Sequence, residues 1–487
     1  VSGPGTGQRV AIVGAGLAGC LLAALLGRRG IESVVYERRQ DPRVAGAERG
    51  RSVNLAISAR GLLAMDQVGL RERALRRALP MHGRMVHGPP KRGVRERGMA
   101  GGQSFRPYSA DGTQAINSIS RTELNLTLLD VAEQTPGVTI EFGWRLRDLD
   151  MASGELTFDT QASDAPAGDA PAGGPSAGTK TVRADIVLAA DGAYSAARRA
   201  VTFQPGFTFS QDYLEHGYKE LTIPATPAGD FALDKDALHI WPRGSSMMIA
   251  LPNLDGSFTC TLFWTKAEYA ALGTPGEIVS YFEAHYPDVL ALIPDLTDDY
   301  LHNPVGSLAT IRCWPWVHRV ANRGAGCTLA LVGDAAHAIV PFFGQGANCA
   351  FEDCVQIDRC LAEADGDWQA ALASYQQARK ANCDAIAEMA LDNFIEMRDR
   401  VNSRVFQAQS AARHFLERRL PGRYVSRYEL VSFSTIPYAE IPGRMRRQDR
   451  ATALVAAGAA GLAVAAARAL ARQASGDDRP PTISAPR

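Results

Sequence analysis

Two glycine-rich corners carry the residues whose types and spacing are suited to chemistry. Near the N-terminus, the apolar run Val10 to Val13 is followed by Gly14-x-Gly16-x-x-Gly19 and then by an apolar helical stretch. An acid, Glu37, ends the next apolar strand, 23 residues after Gly14. In this arrangement the glycines give a tight turn, close backbone approach to a diphosphate and close helix–strand packing, while the acid meets ribose hydroxyls. The second corner lies late in the chain, in TLALVGDAAHAIVPFFGQGANCAFED, residues 328–353. There a short apolar strand leads to Gly333-Asp334, a turn of Pro341, Phe342 and Phe343, then Gly344-Gln345-Gly346 and a helical pattern. N–H groups in the first turn of such a helix favour an electron-rich ligand, and an acid at a strand end accepts hydrogen bonds from ligand hydroxyls. Together the corners suit a flavin dinucleotide. The acid at position 37 favours a ribose free of phosphate, hence FAD or NAD.

A third element is cationic. Arg84 lies in the alternating stretch Pro80-Met81-His82-Gly83-Arg84-Met85, where one face is expected to be covered. A covered arginine requires an anionic partner. The sequence leaves open whether that partner is a protein carboxylate or a substrate carboxylate.

The elements that must position these residues read as an α/β chain. A Rossmann-like dinucleotide-binding fold is expected over residues 8–200 and again over 328–375, with Asp191-Gly192 closing a third strand as another nucleotide-fold corner. Within it, residues 163–178, SDAPAGDAPAGGPSAG, have too few bulky apolar groups for a core and read as an insertion. From 201 to 327 the texture changes to short alternating strands (HGYKELTI, ALHIWPR, MMIALPN and SFTCTLFW), which predict a mostly antiparallel substrate-binding sheet inserted into the first fold. Residues 376–450 read as a C-terminal helical region. Residues 451–472 read as an Ala-rich helix whose 451–467 segment has no charge, short enough and weak enough in hydropathy that a soluble or surface-bound helix is favoured over a membrane span.

Composition bounds the function. The formal net charge is zero, so no electrostatic footprint for nucleic acid exists. Eight cysteines without a CxxC pair, several within apolar runs, predict buried reduced thiols rather than a disulfide framework or a metal site. With VSGPGTGQR at its start and no apolar targeting segment there, the chain is read as intracellular, cytoplasmic and not secreted.

One dinucleotide fingerprint, a central Asp-Gly, a late Gly-Asp and an intervening sheet resemble the single-component FAD-dependent aromatic hydroxylases. The strings GRSVNLAIS, HGYKELTIP, LHIWPR, MMIALPN, SFTCTLF, GDAAHAIVPFFGQG and FIEMR narrow the resemblance, over about residues 8–440, to the kynurenine-hydroxylating family. That resemblance implies FAD along Gly14, Gly16, Gly19 and Glu37, with Ala56, Arg121 and Leu146 lining its nucleotide and diphosphate portion. It implies Asp191 at the same fold, Asp334 at the ribityl chain, and Ala347 and Asn348 at the flavin ring. It also implies that Arg84, Tyr108, Asn393 and Tyr428 hold the amino-acid end of L-kynurenine. The implied reaction hydroxylates the ring 3-position with NADPH and O2 through a flavin C4a-hydroperoxide. The absence of a second GxGxxG fits a family without a separate NADPH domain, and no side chain is assigned as a general base.

The chain departs from the family pattern at two positions. Ala347 follows GQG where methionine is usual, and Phe394 stands beside Asn393 where tyrosine is usual. The smaller Ala347 is expected to admit a ring-substituted kynurenine. Two other readings remain open, a hydroxylase of another aromatic amine or acid and a non-catalytic flavin-binding sensor. A flavin halogenase shares the first fingerprint, but Trp314-Pro-Trp316 lacks the Ile-Pro ending of that family's motif.

Overall fold

The structure, a computed structural model, describes residues 7–45, 54–89, 102–109, 111–160, 178–320, 326–395 and 424–474. Most of the 163–178 insertion and the basic stretch 91–97 lie outside the described residues. The chain divides into two units, Val1–Ala439 and Glu440–Arg487.

In the first unit, a six-stranded sheet runs in the order Val317–Arg319, Thr328–Leu331, Ile186–Ala189, Val10–Val13, Ser33–Glu37 and Val138–Phe142. All pairs are parallel except the one at the Val317–Arg319 edge. The three central strands are buried at every residue, which is why they read as unbroken apolar runs rather than alternating ones. The register Val13↔Ala189 and Ala189↔Leu331 brings the ends of those strands level, so both glycine corners and Asp191 emerge along one sheet edge. Ligands of open parallel sheets bind at the carboxyl ends of the strands.

The glycines of the first corner have separate reasons. Gly14 has φ of +100°, and a Cβ there would sit 2.6 Å from the Ala190 carbonyl oxygen. A Cβ on Gly19 would sit 1.9 Å from the Gly14 oxygen, so helix Leu17–Arg28 packs against its own entry turn. Gly16 faces open space, and a Cβ there would meet nothing within 4 Å.

A second sheet of seven strands runs in the order Gly306–Trp314, Thr208–Ile223, Phe258–Thr265, Ser246–Pro252, Ala237–Arg243, Gly83–His87 and Gln103–Pro107. Its pairs are antiparallel apart from Ala237–Arg243 with Gly83–His87. Two features differ from the sequence expectation. Two of the strands come from residues 83–107, inside the stretch assigned to the dinucleotide fold. Gly83–His87 joins this sheet through Ala237–Arg243, more than a hundred residues away, which local pattern does not report. Residues 266–302, read as part of a run of strands, instead form helices Lys266–Ala270, Pro275–His285, Pro287–Leu290 and Leu296–His302. Capping boxes at Thr265/Glu268 and Thr274/Glu277, with Pro275 in the first turn, start the first two. These helices cover one face of the sheet, where Trp241, Trp264, Phe258, Phe282, Tyr286 and Ile278 are buried together.

In the second unit, helix Ile441–Ala474 begins before the Ala-rich run and continues through it. No helix among the described residues is long and apolar enough to cross a membrane.

Gly19→Ala forces a methyl into the Gly14 carbonyl. We expect about 1–3 kcal/mol of destabilisation together with weaker FAD retention. Thermal unfolding and flavin content of the purified variant check this.

Candidate active site

The late corner is built around Asp353, on helix Gly346–Glu363. Its carboxylate is completely buried. One oxygen accepts from the Gly333 N–H at 3.0 Å and from His337 Nε2 at 2.5 Å, and the other accepts from Arg379 Nε at 2.7 Å. Burial opposes its ionisation, but the His337 and Arg379 charges hold it below the usual carboxylate range. Burial likewise opposes charge on His337, and Asp353 with Cys349 overcomes this, holding the imidazole well above its usual range. Arg379 also bonds Glu352, which reaches Arg60 on the other side. Gly333 adopts φ of +59°, and the Asp353 bond fixes it there. The turn leaves Asp334 exposed at the end of its strand, where a carboxylate is free to accept ligand hydroxyls.

Asn348 holds the second half of this corner. Its Oδ1 accepts from Ser58 N and Gly61 N, at 3.0 and 3.2 Å. Its Nδ2 donates to the Ala56 and Gly344 carbonyls, at 3.0 and 2.9 Å. The side chain is therefore saturated by protein and cannot itself be a ligand contact. What the corner offers is backbone: N–H groups of Gly346, Ala347 and Asn348 in the first helical turn, which have no acceptor within the helix. Gly344, at φ +64°, lies so close to strand Asn54–Ile57 that a Cβ would meet the Ala56 methyl at 2.8 Å. Gln345 is buried and bonded by Tyr438 at 2.8 Å.

At the early corner, Glu37 is buried and accepts from the Ala15 N–H at 2.8 Å, while its other oxygen accepts from Arg39. Asn125 donates to the Ala15 carbonyl, which ties helix Arg121–Gln134 to the same turn. Arg121 is exposed at the start of that helix. Leu146 is buried opposite Phe158 in a separate three-stranded sheet. Asp191 caps a short helix through bonds from Ala196 and Ala197, and its Oδ1 is buried without a partner. Burial raises the Asp191 pKa. Its role in the structure is first that of a cap.

These residues fit FAD. Gly16 leaves room for close approach, Asp334 is exposed at a strand end, and a helix start presents unpaired N–H groups.

The cationic site is equally specific. Arg84, on strand Gly83–His87, lies with its guanidinium carbon 3.9 Å from the Tyr428 ring centroid and 5.8 Å from that of Tyr108. The two tyrosine rings stack at 5.0 Å. Arg84 Nε and Tyr108 Oη are both buried without a hydrogen-bond partner. No carboxylate among the described residues pairs with Arg84; its described neighbours are the two tyrosines. Asn393 donates to the Phe342 carbonyl at 2.7 Å. Phe394 stacks on Phe342 at 4.3 Å, and Phe343 stacks on Tyr428 at 5.9 Å. The turn Pro341–Phe343 thus links Asn393 to Tyr428, and it immediately precedes Gly344-Gln345-Gly346. The structure brings Arg84, Tyr108 and Tyr428 into one cluster, with Asn393 joined through this turn.

Sequence reasoning missed Arg60, His337, Glu352, Asp353 and Arg379. The only signal was the presence of charged residues within otherwise apolar helical faces.

The family model described as an FAD binding domain matches residues 8–390. The kynurenine 3-monooxygenase of Myxococcus xanthus is 46% identical over 432 residues, covering 88% of this chain and 86% of the relative. That of Salinispora tropica is 42% identical over 469 residues, 96% of this chain and 97% of the relative. This chain belongs to the kynurenine 3-monooxygenase family. It is a flavin-dependent monooxygenase that uses FAD, with NADPH and O2 as co-substrates. Among solved structures, 2-methyl-3-hydroxypyridine-5-carboxylic acid oxygenase superposes with a TM-score of 0.61 at 18% identity, covering 88% of this chain and 96% of that one. This likeness shows the shared hydroxylase fold.

The two buried charge sites respond to neutralisation in opposite ways. Asp353→Asn leaves His337 and Arg379 facing a neutral amide in a buried site, with an expected loss of about 3–5 kcal/mol, read by denaturant unfolding. Arg84→Met has the opposite signature. Removing a desolvated cation without an ion-pair partner leaves the unfolding midpoint equal or higher, while substrate KM rises.

Proposed function

We propose that this chain hydroxylates L-kynurenine at the ring carbon beside the amino group, giving 3-hydroxykynurenine. The observation that carries the reading is the buried, unpartnered Arg84 Nε beside the unpartnered Tyr108 Oη. An arginine fork suits a carboxylate bidentately, and the hydroxyl supplies a further donor to it. Tyr428 stacks on the guanidinium face and fixes its plane. Asn393, anchored to the Phe342 carbonyl, is placed to serve the polar end of the same amino acid.

FAD supplies the redox chemistry when bound, accepting electrons from NADPH and activating O2. The protein's part is positional. Gly14, Gly16, Gly19 and Glu37 would hold the adenosine diphosphate portion, with Ala56, Arg121 and Leu146 beside it and Asp191 shaping the neighbouring turn. Asp334 would meet the ribityl hydroxyls, and the N–H groups of Ala347 and Asn348 would serve the electron-rich edge of the ring. Phe342, Phe343 and Phe394 form an aromatic wall that excludes water from the reacting face. Once the carboxylate is fixed at Arg84, the aromatic ring has little freedom, and this orientation is the main contribution of the site. No side chain is assigned as a general base.

Exposed Leu454, Leu462 and Leu470 on helix Ile441–Ala474 support a peripheral contact with a lipid surface. Vesicle flotation with and without residues 449–487 tests it, and equal flotation removes the contact.

The deciding experiment is NADPH consumption by the FAD-loaded protein with and without L-kynurenine, with product mass and peroxide measured together. We expect stimulation and a product one oxygen heavier. Peroxide without product rejects kynurenine as the substrate, and no stimulation rejects the substrate class. Arg84→Met is expected to lower kcat/KM by about 30- to 1000-fold, the cost of about 2–4 kcal/mol for truncating one side of a buried charge pair, with flavin content unchanged. Ala347→Met should lower kcat/KM for ring-methylated kynurenines more than for the parent, and an equal effect on both shows that position 347 does not gauge ring size.

A further inference from the structure

Behind the late corner, two cysteines approach each other inside the ionic network. Cys349 lies in the first turns of helix Gly346–Glu363, and Cys383 lies on helix Trp368–Ile395. Their sulfurs are 3.6 Å apart, and both residues are buried. Arg379 NH2 donates to Cys349 Sγ at 3.2 Å and to Cys383 Sγ at 3.6 Å. His337 is the third member, its ring nitrogen within 4.8 Å of both sulfurs and its Nε2 held by Asp353.

Such a grouping suggests a soft metal ion at first sight. The Arg379 guanidinium, within hydrogen-bonding distance of both sulfurs, opposes that reading, because a fixed cation occupies the position from which a second would have to be bound. The same guanidinium favours a thiolate.

We propose that Cys349 and Cys383 are a redox-active dithiol, a site at which hydrogen peroxide converts the pair to a disulfide joining the two helices. Neither FAD binding nor the hydroxylation uses these thiols. The inference rests on the chain's being a flavin monooxygenase, not on the identity of its substrate.

The two sulfurs are not equivalent. The hydrogen bond from Cys383, with the charges of His337 and Arg379, outweighs burial and brings the Cys349 thiol down to about 6. Burial pushes Cys383 well above the usual thiol range. Cys349 is thus the attacking thiolate and Cys383 the resolving thiol. In the first step Cys349 Sγ attacks one peroxide oxygen and the O–O bond breaks. The departing hydroxide takes a proton from the His337 imidazolium and leaves as water, giving a sulfenic acid at Cys349. In the second step Cys383 Sγ attacks that sulfur and loses its proton, and the sulfenic hydroxyl leaves with it as a second water. Two thiols are oxidised by two electrons, and one peroxide is reduced to two waters. His337 becomes neutral as the thiolate is consumed, so Arg60 and Arg379 remain matched by Glu352 and Asp353.

The location names the source of oxidant. Both sulfurs are shut off from bulk solvent, which excludes bulky oxidants and leaves peroxide, little larger than water, as the species able to reach them. Cys349 directly follows Ala347 and Asn348, the residues of the flavin corner. Peroxide is what NADPH and O2 yield when the activated oxygen is not delivered to an acceptor, and FAD bound at that corner would supply it close to this thiol.

The test exposes the FAD-loaded full-length protein to graded hydrogen peroxide, without substrate. It then counts free thiols and maps non-reduced peptides by mass. The expected result is loss of two thiols from the eight, one cross-linked peptide pair containing Cys349 and Cys383, and recovery of both thiols with dithiothreitol. Cys383→Ser should stop the reaction at the first step, with a sulfenic-acid trap labelling Cys349. Cys349→Ser should leave Cys383 unmodified at the same peroxide dose. Oxidation of Cys383 in that variant, a cross-link elsewhere, or methionine oxidation before any Cys349–Cys383 cross-link in the wild type overturns the proposal.

Discussion

Asp353 accepts hydrogen bonds from a backbone N–H, an imidazole and a guanidinium while wholly shut off from water. Its three donors come from different parts of the chain: the end of a sheet strand, the short helix after it, and helix Trp368–Ile395. An unpaired carboxylate at this depth would be untenable, so the three elements are held in one arrangement as a condition of burying it. Gly333 can take its left-handed conformation because this bond holds it, and Asp334 is thereby presented to solvent. The corner that suits a flavin is the surface of a buried ionic cluster.

The cluster also links the late glycine corner to the cluster of Arg84, Tyr108 and Tyr428. Helix Trp368–Ile395 carries Arg379 at its middle and Asn393 near its end, and Asn393 anchors the aromatic turn that leads into the Gly344-Gln345-Gly346 corner. Arg60 extends the network towards the C-terminal part of the same unit, stacking on Tyr438, which in turn bonds Gln345. Backbone at both ends of the aromatic turn is therefore pinned by charged or amide side chains. A site that must keep its ring-facing wall dry and its N–H groups aimed benefits from such rigidity.

Much of this was legible in the sequence where the signal is local. The first fingerprint, with Gly14, Gly16, Gly19 and Glu37, reported its own strand–turn–helix context, and the fully buried strands reported a parallel sheet. Arg84 stood out because a cation in a covered stretch demands explanation. What could not be read depended on contacts distant in sequence. Asn348 looks like a ligand residue in its glycine-rich setting, yet its four hydrogen-bonding positions are filled by residues from 56 to 61 and by Gly344. His337, Cys349, Asp353, Arg379 and Cys383 lie on three elements, and nothing in their spacing announces that they converge. The helices of residues 266–302 were hidden for a different reason: their caps are short local signals embedded in a run whose apolar alternation suggested strands.

The strand bearing Arg84 belongs by sequence to the dinucleotide half and by hydrogen bonding to the other sheet, where it pairs in parallel with Ala237–Arg243. A parallel neighbour cannot be supplied by a tight hairpin, so this edge is completed only by chain that has already passed through the first fold. The large sheet is consequently not a detachable module. Anyone recombining lobes between members of this family would have to move residues 83–107 along with 201–327, or else leave Arg84 behind on the wrong parent.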